Sequence, residues 1–228
     1  MLLNAINRLA TLLVVLFVCN YGRAASVVVD DPGATALNSR VAQFELTDAT
    51  MIDGLSKLSD EPIAGLHLGI EEIIQDKVSE HTDRSVRFSI SLRNVTVRDI
   101  VDTLCKSDRR YMWAIDGGTV NIYPRETVGN SSYLLNRELD LITLLNINAP
   151  SDALTSLMKL LPGEQLGYAG VGIYNGYPKP WSTTFSNLTV RQLMNRLSEH
   201  DGPRGGWIWS GSTGQRFFFY FELGFKQR

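Results

Sequence analysis

The chain has 228 residues, with 22 Lys and Arg against 24 Asp and Glu, a formal charge of −2. That mild acidity excludes the clustered basic surface on which phosphate backbones bind, so no nucleic-acid partner is expected. The length suffices for two small domains, each with its own core, and two cysteines are too few for a disulfide framework.

Arg8 precedes an apolar run, Leu9 to Val18, and Asn20-Tyr21-Gly22-Arg23-Ala24-Ala25 follows with the polar and small residues that signal peptidase accepts. Residues 1–24 are therefore expected to be a cleaved signal peptide. The run is shorter than the roughly 18 to 20 apolar residues that span a bilayer, which argues against a transmembrane anchor. Val18 before Cys19 is larger than the Gly or Ala usual before a lipid-bearing cysteine, which argues against lipidation. Cleavage removes Arg8 and Arg23, moves the formal charge to −4 and leaves Cys105 as the lone thiol of a periplasmic or secreted chain. Membrane contact is expected only through the signal peptide. Cys105 falls on the apolar face of an expected helix and reads as a small buried side chain.

After a flexible lead-in, 25–39, a first module is expected at 40–124. Val41 to Leu46 suits a strand. Thr50-Met51-Ile52-Asp53 fits the Ser/Thr-x-x-Asp/Glu capping pattern, in which the hydroxyl accepts from orphan backbone N–H groups, and Met51, Leu55 and Leu58 line the helix that it opens. Leu66 to Ile73 looks like a second strand, and the charged stretch Gln75 to Arg84 like a solvated loop. Val86, Phe88, Ile90 and Leu92 alternate with Arg87, Ser89 and Ser91, the period of a strand with one buried face. Thr96-Val97-Arg98-Asp99 is a second capping box, and Val97, Ile100, Val101 and Leu104 stripe its helix. Tyr111 to Ile115, Asp116-Gly117-Gly118 and Thr119 to Tyr123 predict a hairpin.

Residues 125–138 break both periodicities and are expected to link to a second module at 139–223. Leu139 to Ile147 suits a strand, and Ser151 suits the N-cap of a helix lined by Leu154, Leu157, Met158 and Leu161 and stopped by Pro162-Gly163. Gln165 to Pro180 is rich in Gly and Tyr and shows no clear period. Trp181 to Phe185 leads into Thr189-Val190-Arg191-Gln192, a capping box with Gln in place of Asp, and Val190, Leu193, Met194 and Leu197 repeat the stripe. Trp207-Ile208-Trp209 and Phe217 to Phe221 make a last hairpin. Asn94-Val95-Thr96-Val97-Arg98-Asp99-Ile100 thus returns 93 residues later as Asn187-Leu188-Thr189-Val190-Arg191-Gln192-Leu193. The expected fold class is α+β, two tandem small β-α-β-β-α-β-β modules after a signal peptide.

From Phe44 to Pro124 the order of elements, with Leu55 and Leu58, Val86 to Leu92, Asn94-Val95-Thr96-Val97-Arg98, Tyr111-Met112-Trp113 and Asp116-Gly117-Gly118-Thr119-Val120-Asn121-Ile122, resembles the short N-terminal (STN) domain shared by secretins and TonB-dependent receptors. The second module resembles it only through Phe185 to Phe221. The resemblance implies non-enzymatic periplasmic modules that bind partners or pack into rings, here without a pore or barrel domain.

No catalytic or metal constellation is legible. His67, His81 and His200 are scattered, with no i+4 or cysteine partner, and no cofactor is expected. Gly170-Val171-Gly172 with Gly176 lacks the following helix of a dinucleotide fingerprint, and Gly211-Ser212-Thr213-Gly214 fits a hairpin loop. The expected function is that of an exported, non-enzymatic interaction or assembly protein of the bacterial cell envelope, engaging a protein partner or itself through sheet edges and an aromatic face. Tyr174, Tyr177, Trp181, Trp207, Trp209, Phe218 and Tyr220 form the candidate surface, while Thr50, Thr96, Ser151 and Thr189 are structural helix caps. The alternative is a periplasmic glycan or small-ligand binder that stacks its ligand on Tyr168, Tyr174, Tyr177, Trp181, Trp207 and Trp209.

Overall fold

The computed structural model describes residues 32–73, 85–161, 165–168, 179–200, 206–212 and 216–221. The expected signal peptide and the charged stretch from Gln75 to Arg84, with His81, lie outside them. The fold is mixed α+β, with a six-stranded sheet and two two-stranded ribbons.

In the first half, alternation builds a ribbon in which β1 (Arg40–Ala49) and β3 (Phe88–Thr96) pair antiparallel, from Arg40 against Thr96 to Ala49 against Phe88. Its buried side chains, Val41, Phe44, Leu46 and Ile90, pack on α2 (Met51–Asp60) and α3 (Val97–Ser107). β2 (His67–Glu71) runs parallel to β5 (Thr119–Pro124), which forms a hairpin with β4 (Tyr111–Asp116). The hairpin turns through Gly117 and Gly118, at φ of 60° and 82°, the left-handed pair that a two-residue turn of this twist requires.

The lead-in departs from expectation. From Pro32 it is a docked helix, α1 (Pro32–Leu37), with Ala36 and Leu37 buried in the first core. Six residues are too few for a helical period to show in a sequence. Gly33 sits so close to the hairpin turn that a Cβ there would stand 2.4 Å from the Gly118 carbonyl oxygen.

The expected linker is also ordered. It makes two 3-10 turns, Arg125–Thr127 and Leu134–Asn136, and it buries Leu134 and Leu135 in the second core. Beyond it β6 (Glu138–Ile147) and β8 (Trp181–Thr189) form a ribbon like the first, with an irregularity between Leu144 and Ile147 where β1 has one between Leu46 and Ala49. Positive φ recurs at matching places, Asp48 and Asn146, Asn94 and Asn187. The N–H of Asp48 donates to Ser89 Oγ at 3.1 Å, and that of Asn146 to Ser182 Oγ at 2.9 Å. The remaining elements are α4 (Pro150–Leu160), β7 (Gln165–Tyr168), α5 (Val190–Glu199), β9 (Gly206–Ser212) and β10 (Arg216–Phe221). The second core gathers Ile142, Leu157, Val190, Leu193, Leu197, Trp207 and Trp209.

Ser151 does not cap α4. Ala149 occupies the N-cap position and Pro150, with φ already set and no N–H to satisfy, takes the first helical position. The free N–H groups of Asn148 and Ala149 are met by the Asp152 carboxylate, at 2.8 and 3.2 Å.

One sheet joins the halves, in the order β4-β5-β2-β9-β10-β7. β2 pairs in parallel with β9: Leu68 with Gly206, Gly69 with Trp207, Ile70 with Ile208 and Glu71 with Trp209. Paired residues share a face of a sheet. Leu68 and Ile70 therefore point with Val120 and Ile122 into the first core, whereas Gly69 and Glu71 point with Trp207 and Trp209 toward the second. The helices of the two halves lie on opposite faces. No described helix is long and apolar enough to cross a membrane.

Candidate functional site

Three threonines fix where α2, α3 and α5 start. Thr96 Oγ1 accepts from the Asp99 N–H at 3.1 Å, and the Asp99 carboxylate accepts from the Thr96 N–H at 2.9 Å. Thr50 with Asp53 and Thr189 with Gln192 repeat the exchange. Hydrogen bonds from the Thr96 hydroxyl and N–H hold the Asp99 carboxyl below the usual carboxylate range. The cap at Thr189 aims α5 so that Arg191 and Asn195, four residues apart and on one face, reach the joint between β2 and β9.

The aromatic pair of β9 is not an outer face. Trp207 and Trp209 are 1% and 0% exposed. The Trp207 indole lies over Gly69, where a methyl group would come within 2.6 Å of the ring and of Asn121 Oδ1. Its N–H donates to Asn195 Oδ1 at 2.9 Å, and the Asn195 amide donates to the Asp116 carbonyl at 3.1 Å, tying α5 to the first hairpin. Ile208, on the other face, packs against the first core, so both faces of β9 are covered. This overturns Trp207 and Trp209 as surface residues: they are buried in the second core under α5, with β2 alongside.

Trp181 is half-buried and stacks on His200 with centroids 4.0 Å apart and rings inclined by 11°. Burial lowers the His200 pKa, against the raising influence of Glu199. Tyr174 and Tyr177 lie outside the described residues. Tyr168 stands on β7, and Phe218 and Tyr220 stand on β10, strands whose backbone pairing is described while these side chains are not.

Beside the tryptophans lies a buried ion pair. The Glu71 carboxylate, fully enclosed, accepts from Arg191 Nε and, at 3.2 Å, from Nη2. Arg191 Nη1 donates to Asn136 Oδ1 at 2.7 Å, and the guanidinium lies 4.9 Å from the Tyr123 ring centre. Burial drives the Glu71 carboxyl above its ordinary range, opposed by Arg191 and by a hydrogen bond from Tyr133. The Tyr133 hydroxyl in turn is pushed up by burial and by the Glu71 charge. Nothing near Glu71 in sequence marks it; the only local hint is that Arg191 falls inside a capping box. A groove of about 380 Å³ opens over Ala114, Tyr123, Asn136 and Arg191, but its guanidinium is already committed.

At the ends of the sheet stand β4 and β7, and among the described residues no strand pairs with the outer side of either. Trp113 on β4 donates its indole N–H to Asp102 at 2.8 Å, with the Arg98 guanidinium 5.3 Å from the ring centre. Among the described residues no group of three His, Cys, Asp or Glu side chains is placed to hold a metal ion. No protein-family model, curated protein or solved structure matches the chain.

Proposed function

We propose that the chain is an exported, non-enzymatic interaction protein of the bacterial cell envelope, built from two tandem STN-like β-α-β-β-α-β-β modules at 40–124 and 139–223. The observation that carries this reading is the edge-to-edge joint: a parallel pair, β2 with β9, merges two hairpin sheets into one that, among the described residues, ends in a strand edge on each side. Exposed edges offer unpaired N–H and C=O groups to another strand. Support for two modules comes from the separate cores and from the matched irregularities, positive-φ residues and caps of the two ribbons. Export rests on the leader-like residues 1–24.

Sedimentation velocity of the mature chain, together with crosslinking in its native envelope, tests the reading. Self-association or a recurrent protein neighbour is expected. A chain that stays strictly monomeric and recovers no protein neighbour overturns it. The glycan alternative loses two of its platforms with the burial of Trp207 and Trp209, and tryptophan fluorescence titrated with cell-wall fragments is expected to show no saturable change.

A further inference from the structure

The registers of the two hairpins match residue for residue. Asp116 pairs with Thr119 across one turn and Ser212 with Arg216 across the other, which makes Trp113 the counterpart of Trp209. The parallel strands start at the same place: His67 lies beside Thr119, and Gln165 lies beside Arg216. His67-Leu68-Gly69-Ile70 on β2 is thus the counterpart of Gln165-Leu166-Gly167-Tyr168 on β7.

It follows that the joint is heterologous. An edge of the β2 type, from the first half, takes an edge of the β4 type, β9, from the second. Such a contact does not consume its own surfaces, as a two-fold contact does. Among the described residues it leaves β4 without an outer partner at one end and β7, of the β2 type, at the other. The joint also has a definite operator. β9 runs parallel to β2 and so antiparallel to β4, and the cores lie on opposite faces, which amounts to a half-turn about an axis across the strands. A second such half-turn restores the orientation of the first half, so repetition gives an open row.

We propose that a second copy of this chain docks its β4 in parallel beside β7 of the first, Gly167 against Tyr111 and Tyr168 against Met112, and extends the sheet. This deepens the interaction reading above and rests on it. Beside the open β7 edge α4, which packs on β7, exposes Met158 and Leu160, apolar side chains for the incoming copy to cover. The new joint lacks one feature of the internal one: β7, Gln165-Leu166-Gly167-Tyr168, carries no acidic residue. Arg98, the counterpart of Arg191, finds no carboxylate there. The ion pair therefore reserves β9 for β2, and the joint between copies is weaker and reversible.

Two proline variants test it. In the internal joint the Trp209 carbonyl accepts from the Glu72 N–H at 2.9 Å. The same pattern turns the Ile115 N–H of β4 and the Tyr168 N–H of β7 outward. Ile115→Pro and Tyr168→Pro are each expected to sediment as monomers, and their mixture is expected to form a 1:1 dimer through the remaining intact edges. A single variant that dimerises alone overturns the proposal, because its contact is then two-fold. Wild type and mixture that both stay monomeric also overturn it, and if envelope crosslinking still returns a different protein the broader reading stands. If either proline variant loses its thermal transition, Tyr168→Cys with Met112→Cys in one chain decides: disulfide-linked multimers are expected on mild oxidation. No such multimers, or an equal yield from Gln165→Cys with Met112→Cys, refutes the register.

Discussion

A hydroxyl three residues ahead of its partner amide is enough to start a helix, and this chain relies on it at Thr50, Thr96 and Thr189. Thr96→Ala and Thr189→Ala are each expected to lower stability by about 1 kcal/mol in urea unfolding. Ser151→Ala, inside the first turn of α4 and capping nothing, is expected to change it by less than about 0.5 kcal/mol. The Asp99 carboxyl has a folded pKa below its unfolded value, so its stabilisation is present above the unfolded value, near 3.9, and is lost as the pH falls through the folded one. The advantage of wild type over Asp99→Asn should accordingly disappear in acid. Capping boxes are legible in a sequence because all their atoms lie within four residues. At α4 the local signal was Pro150, which favours the first helical position and so moves the start one residue ahead of Ser151. Cys105 shows the same locality: its place on the α3 stripe buries it, and burial pushes the thiol up to about 12. Alkylation in the folded chain should be at least about a hundredfold slower than in urea, since the thiolate is the reactive form.

Between elements, the decisive contact is the one residue of β2 without a side chain. Gly69 leaves the space that the Trp207 indole fills, and a methyl group there would meet both the ring and Asn121. Gly69→Ala is expected to destabilise the chain by about 1–3 kcal/mol and to shift the tryptophan emission, as overpacking forces ring or strand to move. Alternation along β9 shows that Trp207 and Trp209 share a face, yet no local pattern says what lies against that face. Their surroundings combine the second core with Gly69 and Glu71, which stand more than a hundred residues away in parallel pairing, a pairing that carries no turn to announce it. β7 was illegible for a different reason: four residues are too short to establish a period of two.

For the molecule as a whole, Glu71 and Arg191 stand 120 residues apart and meet where the carboxylate is closed to solvent and the guanidinium is largely buried. Arg191→Met should cost about 3–5 kcal/mol, because it leaves a buried carboxylate without its partner. The sign with pH follows from burial. An acid whose folded pKa is raised loses stability as the pH climbs above the unfolded value, near 4.3 for Glu, and removing Arg191 raises the folded value further. The penalty measured by chemical unfolding should therefore be larger at pH 7 than at pH 4. Composition and repeat bound the scale of each core in advance, whereas the buried pair between them required the assembled sheet.

The exposed bend at Val128 and Gly129 has a consequence of its own. The strand pair of β2 and β9, the Glu71–Arg191 pair and the bridge from Trp207 through Asn195 to Asp116 all bypass it. A protease that nicks the backbone there cuts the tether but leaves the seam shut. The two pieces should elute together from a sizing column and separate only in denaturant, and fragments produced apart should find each other and restore the original.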